Sequence, residues 1–157
     1  MRNTPGRVLV IALLLASPLY AYDRQDFDRI ADFSVTIKTL AGLSEAGSLS
    51  GRLLLLDGTV SAMQFLDAAE ASFAVELELA GGEWIGTEEV KIYLCRVRFR
   101  GQEYFRRFPR RSPRPPGPGE IVLNDRILVV ARLAGRAAAE DGTPLWVLEG
   151  LHLRALR

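Results

Sequence analysis

This chain of 157 residues has one cysteine and one histidine, and that scarcity removes most catalytic chemistry at the outset. Cys95 has no partner for an internal disulfide and sits in an alternating stretch, so it reads as a small buried thiol. His152, between Leu151 and Leu153, lacks the positioned nucleophile and orienting acid that a catalytic base needs, and reads as a surface residue. No Gly-x-Ser-x-Gly occurs, no Cys/His metal spacing and no glycine-rich phosphate loop ahead of a helix. The expectation is a protein that is not an enzyme, with no metal and no cofactor. Lysine is scarce too. Only Lys38 and Lys91 are lysines among twenty basic residues, and arginine favours bidentate contacts to carboxylate or phosphate.

Long apolar runs are also missing. The greasy stretch Val8 to Ala16 is nine residues, whereas a membrane-spanning helix needs about 20. Arg2 and Arg7 precede it, and Ser17, Pro18 and Ala21 follow. That is the layout of a secretory signal peptide, with cleavage expected after Ala21 and an uncleaved anchor as the alternative. The expected location is periplasmic or secreted, which removes ATP, NAD and glutathione as partners. No cysteine stands just after the run to become a mature N-terminal residue, so lipid attachment is not expected.

Residues 22–157 fit one domain with a core of its own. Residues 22–50 read as a lead-in and an amphipathic helix. Phe33, Ile37, Leu40 and Ala41 recur at helical spacing, with Asp32 as N-cap and Gly47 as stop, while the alternation of Phe33, Val35 and Ile37 leaves a strand as the alternative. From residue 51 the period changes to two. Arg52 to Phe65 is a long apolar segment with a bulge or bend at Asp57-Gly58. Phe73, Val75, Leu77 and Leu79 alternate next, and Gly81-Gly82 supplies a turn. Val90 to Arg100 is the third strand. Asn124-Asp125 turns into Ile127, Val129, Ala131 and Leu133, and Asp141-Gly142 is a hairpin tip before the last strand. Trp146 is expected on the outer face, packed beneath the helix. Five strands and one helix make the fold mostly β, a small closed or half-open barrel preceded by one amphipathic helix.

The segments DRILVVARLAG and DGTPLWVLEGLHLR, within Asp125 to Arg154, resemble the last two strands of an OB-fold. The long first strand through Asp57-Gly58-Thr59-Val60 is similar to the first strand of that fold. The resemblance covers residues 51–154 and implies a five-stranded OB-like β-barrel domain over 51–157. It departs where the usual helix between third and fourth strands is replaced by an Arg/Pro-rich loop, 106–119. It implies binding of oligonucleotides, oligosaccharides or proteins on one barrel face.

Charge is unevenly distributed. Residues 23–90 carry thirteen acidic and four basic side chains, whereas residues 91–157 carry fourteen basic and six acidic ones. Either acidic and basic strands lie side by side, or a basic face awaits a polyanion. Arg96, Arg98 and Arg100 project from one face of a strand, where Glu76 and Glu78 of the preceding strand would pair with them. Glu83, Glu88 and Glu89 cluster near Trp84. They read either as a solvated hairpin tip or as paired carboxylates for glycan hydrolysis, which retaining enzymes hold ~5 Å apart. Five guanidinium groups, Arg106, Arg107, Arg110, Arg111 and Arg114, lie beside Phe108 in a stretch holding five of the eight prolines.

These residues, with Arg96, Arg98 and Arg100, form the expected binding site. The expectation is an exported, non-enzymatic binding or assembly module of the cell envelope. Its partner would be an envelope polyanion or a protein met through the Arg/Pro loop, with nucleic acid disfavoured. The alternatives are an envelope glycan hydrolase using the loop carboxylates and an OB-type nucleic-acid binder.

Overall fold

The computed structural model describes residues 31–111, 115–139 and 141–157. The expected signal peptide, the first part of the lead-in and Arg114 lie outside these described residues. The elements are β1 (Ala31–Asp32), α1 (Ile37–Ala41), β2 (Leu53–Asp67), β3 (Ala74–Ile85), β4 (Glu89–Arg100), β5 (Arg126–Ala138) and β6 (Pro144–Ala155). The sheet order is β1-β2-β3-β4-β6-β5, and β2 also pairs with β5, which closes five strands into a barrel. The β4–β6 pairing is parallel and spans only Arg96–Arg98 against Val147–Glu149. The expected OB-like barrel is the fold of this chain, with the short strand β1 added parallel to β2.

Gly58 marks the place where β2 changes partners. Leu53 to Thr59 pairs with β5, and Thr59 to Asp67 pairs with β3. The strand bends there without breaking, because the absent side chain leaves room for Ile37, whose Cδ1 lies 2.7 Å from where a Cβ would stand. The register of β2 on β3 shifts later, between Val60 and Ala62 and between Phe65 and Asp67.

Two caps fill the barrel ends. At one end, Ile37 and Leu40 of α1 are buried, with Ile37 set against Gly58 and Gly81. The helix is shorter than its periodicity suggests. Thr36, not Asp32, is the N-cap, in a reciprocal capping box with Thr39, and Gly42, not Gly47, is the C-cap. Asp32 instead accepts from the Ser34 amide at 2.9 Å, turning the chain so that Phe33 is half exposed and outside the helix.

The opposite end is closed by rings. Phe73 packs at 6.3 Å from Phe108 and 5.7 Å from Phe105, and Phe99 packs at 5.1 Å from Tyr104. The Tyr104 hydroxyl donates to the Leu151 carbonyl at 2.8 Å. These residues stand where the OB-fold helix would.

Three further expectations are corrected. Gly81-Gly82 is not a turn: β3 runs through to Ile85, and the reversal falls at residues 86–88, with Gly86 at φ 68°. The segment 106–119 is not wholly an extended loop. The Ile121 amide donates to the Arg107 carbonyl at 2.7 Å, and Phe108 is in the core. Trp146 is buried as expected, but inside the barrel with Leu148 instead of on the outer face. A register shift after Val130 inserts Leu151 as an extra residue and separates His152 from that face.

Candidate functional site

The pairing of β3 with β4 is regular from Ala74↔Arg100 to Ile85↔Glu89. Alternation therefore places Glu76, Glu78, Ala80, Gly82 and Trp84 on one outer face with Val90, Ile92, Leu94, Arg96, Arg98 and Arg100. Among the described residues neither strand has another registered partner beyond Ala80 until Arg96, so the two form an arm that extends past the five-stranded pairing.

The face has a charged half and an apolar half. In the charged half, the Glu76 carboxylate is only 6% exposed. It accepts from Arg98 Nε at 2.5 Å and lies 3.4 Å from Arg96 Nη1. The expected cross-strand pairing is therefore present, but both guanidinium groups converge on one carboxylate. Glu78 accepts from Ser61 Oγ at 2.9 Å instead. Arg100 is exposed and makes no ion pair among the described residues. A groove of about 440 Å³ runs beside these groups, lined by Met63, Glu76, Glu78, Leu94, Arg96 and Asp141.

In the apolar half, Trp84 is 70% exposed and Ile92 63%, with Val90 between them. Isolated exposed apolar residues are ordinary, but three clustered on one side of a projecting arm are a surface feature that calls for a partner. The reverse side of the arm is tied to the barrel cap. Lys38 Nζ donates to Glu83 at 2.6 Å and the Tyr93 hydroxyl donates at 3.2 Å, while Lys91 Nζ lies 5.4 Å from the Tyr93 ring centre. The Lys38 bond, against a smaller effect of burial, holds the Glu83 carboxyl below its ordinary range. Glu83 is thus committed to fixing the arm, and Glu88 and Glu89 stand exposed at its tip.

The loop residues separate into two groups. Arg106 and Arg111 are exposed without ion pairs among the described residues. Arg107 Nε donates to the Gly119 carbonyl at 3.2 Å and Arg110 Nη2 to the Ala68 carbonyl at 2.9 Å. Phe108, expected as a contact residue, is buried against Phe73 and Phe99 and presents no ring to a ligand. The segment follows β4 directly after Arg100, and Arg106 lies beside Glu70 and Glu103.

Cys95 faces the barrel interior, and burial pushes its thiol up to about 12. No group of three or more His, Cys, Asp or Glu side chains among the described residues could hold a metal ion. The apolar arm is what sequence reasoning misses: Gly81-Gly82 reads as a turn, which puts Trp84 in a loop. The alternation carried on through Trp84 and resumed at Val90, and that pattern was the available signal.

No family model and no curated protein matches the chain. Among solved structures it is similar to the small single-stranded DNA-binding protein of Streptomyces coelicolor, at 14% identity, over 66% of this chain and 90% of that one, with a TM-score of 0.43. The single-stranded DNA-binding protein of Thermus aquaticus is similar at 18% identity, over 67% of this chain and 49% of that one, with a TM-score of 0.42. The PriB protein of Ralstonia solanacearum is similar at 12% identity, over 67% of this chain and 97% of that one, with a TM-score of 0.41. This finding corrects the expectations of an envelope module, of a periplasmic or secreted location and of nucleic acid as a disfavoured partner. They are withdrawn.

Proposed function

We propose that this protein is a non-enzymatic, OB-type binder of single-stranded nucleic acid, and that the outer face of β3 and β4 is its site. The exposed indole of Trp84 on that face carries the reading. Every base has a π-face, so an aromatic platform binds single strands without sequence preference, at roughly 1–3 kcal/mol per stacked base. The face of the second and third barrel strands is also where OB-folds receive oligonucleotides.

The chemistry of the strip fits a single strand better than a duplex. From Val90 to Arg100 it extends about 33 Å, with an indole and aliphatic side chains at one end and guanidinium groups at the other. Bases meet the apolar half, where unstacked rings are needed, and phosphates meet Arg100, Arg96 and Arg98. Arg106, Arg107, Arg110 and Arg111 of the loop add further guanidinium groups for phosphates. Guanidinium–phosphate bonds are charge-assisted and roughly twice as strong as neutral ones.

The two tryptophans make a direct test, because Trp84 is exposed and Trp146 is buried. Titration with an oligothymidylate of about 12 nucleotides, within the usual range for one OB-fold, should quench the Trp84 emission. Trp84→Ala should weaken binding at least tenfold, and heparin should not reproduce the quenching. Unchanged Trp84 emission together with no binding at low salt would overturn the reading.

A further inference from the structure

We infer that Glu76 is an internal competitor for the phosphates of the bound strand, holding Arg96 and Arg98 partly neutralised on the face where they would bind nucleic acid. This rests on the reading of that face as the nucleic-acid site. Three observations carry it. Glu76 is nearly fully buried, whereas the side chains of Arg96 and Arg98 keep 22% and 38% exposure. The guanidinium groups thus remain reachable from solvent and the carboxylate that balances them does not. Both converge on that one carboxylate, at 3.4 Å and 2.5 Å. Glu78, next on the same face, is bonded to Ser61 and adds a second negative charge beside the pair.

A carboxylate and a phosphate oxygen compete for the same N–H donors, because both are anionic acceptors matched to the guanidinium fork. A guanidinium has five N–H groups, so each arginine retains donors for a ligand while its charge is offset by Glu76. The consequence is a face on which stacking at Trp84 contributes more than the contacts of Arg96 and Arg98, and on which affinity falls less with salt than the number of arginines implies. A strand that is only a polyanion is then bound poorly, and one with exposed bases is preferred.

The test compares wild type, Glu76→Gln and Glu78→Gln by titration with fluorescent oligothymidylate of about 12 nucleotides over a range of salt concentrations. Each phosphate contact on a single strand adds about 0.7 to the slope of log affinity against log salt. Glu76→Gln keeps the side chain's shape and should raise affinity at least threefold while steepening the slope by about 1.4, two contacts' worth. Glu78→Gln removes the same charge without releasing an arginine and should leave the slope nearly unaltered.

Adding Arg96→Gln and Arg98→Gln to Glu76→Gln should cancel the gain. Circular dichroism and thermal melting verify that each variant is folded. An equal gain in both carboxylate variants, or a folded Glu76→Gln protein with wild-type affinity and slope, would overturn the inference and leave the binding site standing. Absence of binding by wild type and Glu76→Gln alike would overturn both.

Discussion

The Arg136 guanidinium carbon lies 4.2 Å from the centre of the Trp146 ring, covering an indole that is otherwise in the core. The same guanidinium donates through Nη2 to the carbonyl of Leu43, just past the end of α1. One side chain thus joins β5, β6 and the segment leaving the helical cap. Trp146 Nε1 itself is buried with no acceptor among the described residues, so the indole is held by stacking and apolar packing. Arg136→Ala should cost about 1 kcal/mol and shift the Trp146 emission to longer wavelength in a Trp84→Phe background. Arg136→Lys should recover only part of the loss, since an ammonium lacks the flat face.

Gly150 has a different reason to be glycine. A Cβ there would overlap the Phe99 ring, which is fixed on both sides by Tyr104 and Phe108. Gly150→Ala should destabilise the fold by about 1–3 kcal/mol through overpacking. At Gly58 the nearest obstacle is the flexible end of Ile37. Gly58→Ala should cost less in a parallel denaturant titration, and the reverse order would contradict this account of the two sites.

Cys95 connects burial to pH. Burial comes first, with the charge of Glu78 second, in pushing the thiol up to about 12 from an ordinary value of 9.0. The folded state therefore keeps its proton where the unfolded state has begun to lose one. The thiol's contribution to stability is complete below pH 9.0 and is lost progressively as pH rises towards about 12. At pH 8–9 the native thiol should resist a disulfide reagent that modifies it promptly in denaturant, and Cys95→Ala should flatten the fall in stability above pH 9.0.

The Arg/Pro loop combines a structural base with exposed charges, and substitutions can separate the two. Phe108→Ala removes a ring packed between Phe73 and Phe99 and should cost about 3–5 kcal/mol. Arg106→Gln with Arg111→Gln should change stability by less than about 0.5 kcal/mol while weakening oligonucleotide binding at low salt. A large drop in melting temperature in the arginine variant would place those side chains in the fold.

The residues at the arm and the loop show how far sequence alone reaches. Alternation over Phe73–Leu79, Val90–Arg100 and Ile127–Leu133 determined strands, and turn residues at Asn124-Asp125 and Asp141-Gly142 determined two reversals, because these signals are local. Asn124 does adopt φ 68°, as a turn there requires. The cross-strand pairing of Glu76 with arginines was legible for the same reason, since strand period and hairpin order suffice to predict it.

Only the tertiary structure decided the rest. Gly81-Gly82 continues the strand, with Ile37 of a distant helix packed against Gly81, a contact that no local pattern reports. Phe108 became core because the barrel end lacked the helix that usually fills it, and nothing local to RRFPRR reports that vacancy. The face of Trp146 changed sides because hydrophobic packing selects one of two faces per strand, and period-two alternation is symmetric between them. Trp84 lay outside the core for the opposite reason: the arm extends beyond the barrel, and no neighbour among the described residues buries it. Sequence determined which residues alternate; three-dimensional packing decided which side of each alternation met the core and which remained to meet a ligand.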